Sequence, residues 1–259
     1  MAKRVARVGV WGLVGLWLVG AWASQVCADA RPTAGPKVTG QQLAVAGDIP
    51  VSRAQVLPAL KAYGDSLVAG FANIPHERRK QLEKLALYIR TQQRAGTVAK
   101  VTYICTHNSR RSHMGQLFST LAAAYYGVER VAAFSGGTEV TAFNPRAVAS
   151  LERAGFEIVN PGGDNPHYQV RYAQNRPPVE AFSKKYDAAV NPKSGFAAVM
   201  TCSHADKNCP TVAGAALRIP LHYVDPKVSD NTAKESATYD ARARQIATEA
   251  FYLFSRLTA

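Results

Sequence analysis

The chain has 259 residues, of which 47% are hydrophobic, and a formal net charge of +13 at pH 7. That is enough chain for one or two domains with a real core, and the composition is ordinary for a globular protein. The charge favours anionic over cationic partners, with a merely solvated basic surface as the competing reading. There is no run of five or more Lys/Arg and no aromatic-plus-basic RNA motif, which argues against a nucleic-acid partner.

In chain order, Lys3, Arg4 and Arg7 precede an apolar, charge-free run from Val8 to Trp22. Two small-residue cleavage patterns follow, Ala21-Trp22-Ala23 and Ala28-Asp29-Ala30. A run of about 15 residues falls short of the ~20 that a spanning helix needs. Residues 1–30 therefore read as a secretory signal peptide. The chain reads as exported, to the periplasm, with no stable membrane span after cleavage. An uncleaved anchor is the alternative. Ser24-Gln25-Val26 before Cys27 is not a lipid-attachment context. Cleavage after Ala30 removes Cys27 and leaves Cys105, Cys202 and Cys209, an odd number that points to a free thiol.

Residues 31–50, rich in Pro, Gly and Thr, read as a linker. From Ser52 to Phe71 the apolar residues Val56, Leu57, Leu60, Tyr63, Leu67, Val68 and Phe71 recur at helical spacing. Pro75 starts a second helix. Leu82, Leu85, Ala86 and Ile89 form one face, and Glu77, Arg78, Arg79, Lys80, Glu83 and Lys84 occupy the others. This extension, within 31–97, shows no chemistry of its own and is expected to pack on the main domain or cover its edge or active face.

The main domain is predicted over 98–259. Val98 to Cys105 is a β-branched, apolar run suited to the middle of a parallel sheet. Helices are expected over Met114–Tyr126, Pro145–Ala154 with Gly155 as C-cap, and Tyr239–Leu257. Further strands are expected at Val131–Ser135, Phe196–Cys202 and Ala216–Leu221. Residues 160–195 are read as an excursion whose Pro177-Pro178 and Asn191-Pro192 argue against regular structure. The alternation implies an α/β fold: a four-stranded parallel sheet with helices on both faces, plus the N-terminal helical extension. Ligands bind at the carboxyl ends of such strands, where Cys105 and Cys202 both fall.

Cys105 is followed by Thr106, His107, Asn108, Ser109 and Arg110, then by Arg111 and Ser112, where a helix begins. Strand, tight loop and helix N-terminus make an oxyanion cradle of backbone N–H groups. A thiol at its base is stabilised as the thiolate. Arg111 suits a tetrahedral anion because its guanidinium donates bidentately. Ser112 is placed to hydrogen-bond the sulfur, and Asn108 to hold a left-handed turn. His107, Arg110 and His113 read as rim residues that add positive potential. The alternative is a buried strand-end cysteine before a basic helix start.

This stretch resembles the phosphate loop of the low-molecular-weight protein tyrosine phosphatase superfamily, which includes the thioredoxin-coupled arsenate reductases. Ser135-Gly-Gly-Thr-Glu139, Asn144-Pro145-Arg-Ala-Val148 and Ala154-Gly155-Phe-Glu-Ile158 resemble further parts of it, with Glu139 and Asn144 as supports for the loop. The resemblance spans roughly 98–258, with 160–195 as an insertion. It implies a general-acid role for Asp225 of Asp225-Pro226. Where phosphotyrosine phosphatases carry two tyrosines after that pair, this chain has Lys227-Val228, which favours a small substrate.

Cys202 and Cys209, seven residues apart, resemble the redox helix of the arsenate reductases. The resemblance implies a relay in which Cys105, Cys202 and Cys209 act in turn and a thioredoxin-like thiol donor restores them. A structural Cys202–Cys209 disulfide is the alternative. Their spacing is not a usual zinc knuckle, and His204 between them reads as a surface residue, so neither metal nor cofactor is expected. Three functions stay open: arsenate reduction, favoured by the cysteine pair; hydrolysis of phosphotyrosine or small phosphoesters through Cys105, Arg111 and Asp225; and oxyanion binding without catalysis.

Overall fold

The computed structural model describes residues 53–208 and 211–258. The stretches read as signal peptide and linker, and Cys209, lie outside the described residues. No described helix is long and apolar enough to cross a membrane.

Helix α1 (Pro58–Leu67) leads through a 3₁₀ turn (Val68–Asn73) to α2 (His76–Arg94). Then come β1 (Ala99–Cys105), α3 (Arg111–Tyr126), β2 (Val131–Gly137), α4 (Pro145–Ala154), β3 (Glu157–Val159), β4 (Tyr168–Arg171) and β5 (Val179–Ala181). The chain closes with β6 (Phe196–Met200), α5 (Ser203–Asn208), β7 (Ala215–Pro220), a 3₁₀ turn (Pro226–Ser229) and α6 (Glu235–Ser255). Strands β2, β1, β6 and β7, in that order, form the expected four-stranded parallel sheet.

The central strands, β1 and β6, are the apolar ones, and their alternation divides the core in two. Val101, Tyr103, Ala197 and Val199 face a large cluster shared with α1, α2, α3, α4 and α6. Ile104, Phe196, Ala198 and Met200 face a smaller one with Cys105, Cys202, Tyr186 and Ala205 of α5. Helices thus flank both faces unequally, five on one and the short α5 on the other. Leu60, Leu67, Leu82, Leu85 and Ile89 of the extension are fully buried in the large cluster. At about 1.5–3 kcal/mol per buried aliphatic side chain, α1 and α2 contribute to the main core rather than decorate it.

The excursion is the clearest correction. Residues 160–195 contain two strands, and β3, β4 and β5 form a separate antiparallel sheet. Pro177-Pro178 sits in the β4–β5 connection, so it costs the ladders no hydrogen bond. Beyond β5 the chain runs against the open edge of β2, where Lys185 bridges Gly137 in parallel. Gly136-Gly137 permits that approach. A Cβ on Gly136 would lie 2.3 Å from the Tyr186 Cα, and one on Gly137 2.6 Å from the Thr106 carbonyl oxygen. Gly136→Val should therefore cost about 1–3 kcal/mol through overpacking. A lowered urea midpoint with an unchanged denaturant slope would show it.

Candidate functional site

The connection from Cys105 to Arg111 is a loop whose carbonyls are claimed from outside. Thr138 N–H donates to Cys105 O (3.2 Å), Glu139 N–H to Thr106 O (2.8 Å) and Asn144 N–H to Ser109 O (2.9 Å). The hydroxyls of Ser183 (2.9 Å) and Thr141 (3.1 Å) both donate to His107 O. In a trans peptide the N–H points opposite to the C=O. Fixing the carbonyls outward turns the loop's amides toward its concave side, the arrangement that binds anions.

Asn108 is fully buried with φ of +43°, the left-handed region its short polar side chain tolerates. Its amide orientation is settled by its partners. Lys184 N–H can only donate, so it meets Asn108 Oδ1 (3.0 Å), which leaves Asn108 Nδ2 to donate to Ser112 Oγ (2.9 Å). The Ser112 oxygen lies 3.0 Å from Cys105 Sγ. With its oxygen accepting from Asn108, the Ser112 hydroxyl is free to direct its proton at the sulfur. Lys184 belongs to the 160–195 segment, a contributor that local sequence patterns do not reveal.

Arg111 begins α3 and reaches across the strand ends. Its Nη1 donates to Tyr223 O (2.9 Å) and its Nη2 to Asp225 Oδ2 (2.6 Å). Arg111 Nε is buried with no partner among the described residues, a donor suited to an oxyanion. Asp225 caps the turn that follows it, Lys227 N–H donating to Oδ1 (3.1 Å), so the Asp-Pro pair fixes the carboxylate beside the guanidinium. Arg110 is not a free rim residue. Its Nε donates to Tyr239 Oη (2.8 Å), and it lies 3.5 Å from Asp230 and 3.9 Å from Asp225.

The register that sets Ile104 beside Met200 brings Cys202 to the same end of the sheet as Cys105. Thr201 reinforces it, donating from both N–H (2.7 Å) and hydroxyl (2.8 Å) to Ile104 O. Both cysteines are free, buried thiols in one cluster. Thr106 Oγ1 lies 3.4 Å from Cys202 Sγ and 3.2 Å from His204 Nδ1, while Ala205 N–H donates to Cys202 Sγ (3.4 Å). His204 is exposed, as expected for a surface residue, yet its ring touches the loop. Cys202 is free in the structure; Cys209, its partner in the structural-disulfide alternative, lies outside the described residues.

The two histidines differ. His107 is exposed, 3.3 Å from Glu139. His113 is buried, so the expectation that it adds positive potential at the rim is wrong. Burial, aided by the nearby Lys184 charge, pushes its pKa down to about 3. Its Nε2 lies 3.1 Å from Phe182 O, an acceptor only, so the neutral ring carries its proton there. Burial also pushes Lys184 down to about 8. Among the described residues, no group of three or more His, Cys, Asp or Glu could hold a metal ion.

No family model and no curated protein matches the chain. The chain is similar in part to several solved structures. A low-molecular-weight phosphotyrosine phosphatase from Vibrio cholerae O395 is 16% identical, with a TM-score of 0.41 over 61% of this chain and 95% of that one. The arginine phosphatase YwlE with a phosphorylated active-site serine is 13% identical, with a TM-score of 0.42 over 61% and 95%. An arsenate reductase from Archaeoglobus fulgidus is 19% identical, with a TM-score of 0.40 over 60% and 98%.

Removing the Asn108 amide frees the Ser112 hydroxyl to turn from the sulfur. A lost hydrogen bond of about 1–1.5 kcal/mol corresponds to roughly tenfold. Asn108→Ala should slow iodoacetamide alkylation of Cys105 at neutral pH by about that factor. His113 sets a pH limit. The unfolded chain takes up this proton below about 6.5 and the folded one only near 3. Stability should fall as pH drops from 6.5 toward 3. His113→Gln, which can keep the donor to Phe182 O, should flatten that part of the urea-midpoint curve.

Proposed function

We propose that this chain is a cysteine-nucleophile enzyme acting on tetrahedral oxyanions, of the low-molecular-weight phosphatase type, and that its reaction is the reduction of arsenate. The observation that carries the redox half is Cys202, a free buried thiol held against Thr106, the residue next to Cys105. A hydrolase has no use for a second thiol there.

In this reading the Cys105 thiolate attacks arsenic, a protonated oxygen leaves as water, and a sulfur–arsenic bond forms. The loop amides and Arg111 hold the remaining oxygens. Cys202, as thiolate, then attacks the Cys105 sulfur. The sulfur–arsenic electron pair leaves with arsenic, releasing arsenite and a Cys105–Cys202 disulfide. Cys209 attacks Cys202, frees Cys105 and leaves a Cys202–Cys209 disulfide. A dithiol carrier of thioredoxin type then takes over that disulfide. In an exported chain the carrier must work on the same side of the membrane.

A second reading, phosphoester hydrolysis, is favoured by Asp225, whose carboxylate is fixed beside Arg111. In this second reading Asp225 acts as the general acid for the leaving oxygen. Val228, in one of the two places where phosphotyrosine phosphatases have tyrosines, is 75% exposed. Tyr223, the nearest upstream aromatic, is buried. A small phosphoester fits this mouth better than an aryl one that needs a stacked wall.

Two substitutions separate the readings. Cys105→Ser should abolish every turnover. Cys202→Ser should abolish arsenate reduction while leaving para-nitrophenyl phosphate hydrolysis within about twofold of the parent, because the latter needs only the adduct at Cys105 and water. Equal loss of both activities in Cys202→Ser would sink the relay.

A further inference from the structure

The N-terminal extension carries no motif, and by sequence Arg78 lies off the apolar face of α2. The structure places its side chain inside, 17% exposed, against the segment that follows β7. Arg78 Nε donates to Glu249 Oε2 of α6 (2.8 Å), and Nη1 donates to the His222 carbonyl (3.0 Å). The guanidinium carbon lies 4.4 Å from the centroid of the Tyr223 ring. Glu249, itself buried, also accepts from Tyr223 Oη (2.8 Å). Tyr223 is thus gripped at its ring, at its hydroxyl and at the carbonyl just before it.

Tyr223 is also where Arg111 is tied. Its carbonyl accepts from Arg111 Nη1, and Asp225, two residues on, accepts from Arg111 Nη2. The backbone from His222 to Asp225 therefore sets both anchors of Arg111 and places the Asp225 carboxylate. Tyr223 N–H also donates to Thr201 O (3.0 Å), and Asp225 O accepts from Val228 N–H (3.4 Å). Arg78 and Glu249 complete the grip from the opposite side. A guanidinium fits this place because one planar fork serves a carboxylate, a carbonyl and an aromatic face together.

We infer that Arg78 is a positioning residue for the oxyanion site, and that α2 is part of the catalytic unit: through His222, Tyr223 and Glu249 it aims Arg111 and Asp225. This rests on the reading of Arg111 as anion clamp and Asp225 as general acid. A misplacement of about 1 Å at reacting groups costs up to ~100-fold in rate, so packing alone and positioning are separable.

The test uses the whole protein with both charges of the buried pair removed together, R78M with E249Q, because a lone buried carboxylate would destabilise by itself. The amide that E249Q introduces still accepts from Tyr223 Oη. Arg78→Lys is the second variant; it keeps a charge for Glu249 and gives up the fork. Both variants should lose about 10- to 100-fold in kcat on phenyl phosphate. The loss should be smaller on para-nitrophenyl phosphate, whose leaving group departs without a proton. The inorganic phosphate concentration that half-protects Cys105 from iodoacetamide should rise several-fold. Parental values in all three measurements, or equal loss on both substrates with unchanged phosphate protection, would overturn the inference. If the parent hydrolyses neither substrate, the hydrolytic reading fails by itself. Phosphate protection then decides the role of Arg78, and an unchanged half-protecting concentration overturns it.

Discussion

A short loop binds an oxyanion only if several peptide N–H groups converge, and they converge only if the carbonyls opposite them are held elsewhere. In this protein the carbonyls of Cys105, Thr106, His107 and Ser109 all find donors outside the loop. Those donors come from the segment between β2 and α4 and from Ser183 beyond β5. Much of the surrounding architecture follows from supplying them. Gly136-Gly137 lets the donors come close, and the antiparallel sheet delivers Ser183 and Lys184 to the open edge of β2. Asn108 takes the left-handed backbone conformation of the turn and donates a hydrogen bond from its amide to Ser112 beside the sulfur.

A second layer concerns charge. Arg110, Arg111, Asp225 and Asp230 lie close together, mostly shielded from water, and are acceptable there because each guanidinium meets carboxylates or carbonyls at defined distances. Uncompensated, any one of them would carry a large desolvation cost. Arg78 and Glu249 repeat the device one shell further out, on the other side of Tyr223. Burial acts in the opposite sense on His113, which lies near the Lys184 charge and stays neutral.

The thiols are organised by sheet register rather than by sequence proximity. Adjacent parallel strands end at the same level, so Cys105 at the end of β1 and Cys202 just after β6 share one buried cluster. Thr106, the first residue of the loop, touches Cys202 and His204 of the short helix α5 at once. The arrangement keeps the two sulfurs in one buried cluster, while Arg111 pairs with Asp225.

What the sequence determined by itself is local. The β-branched run to Cys105, the five-residue loop, Asn108 as its left-handed pivot, Pro145 and Gly155 bounding α4, and the alternation that demands a parallel sheet all depend on neighbours a few residues apart. The tertiary structure alone decided that the proline-rich 160–195 segment pairs into strands, that His113 is buried and neutral, and that Arg78 faces inward. Arg78 meets Glu249 across 171 positions, and Lys184 meets Asn108 across 76. Local periodicity carries no information about partners so distant. The state of a charged side chain is set by whichever groups replace its water, and those are known only once the chain has closed around it.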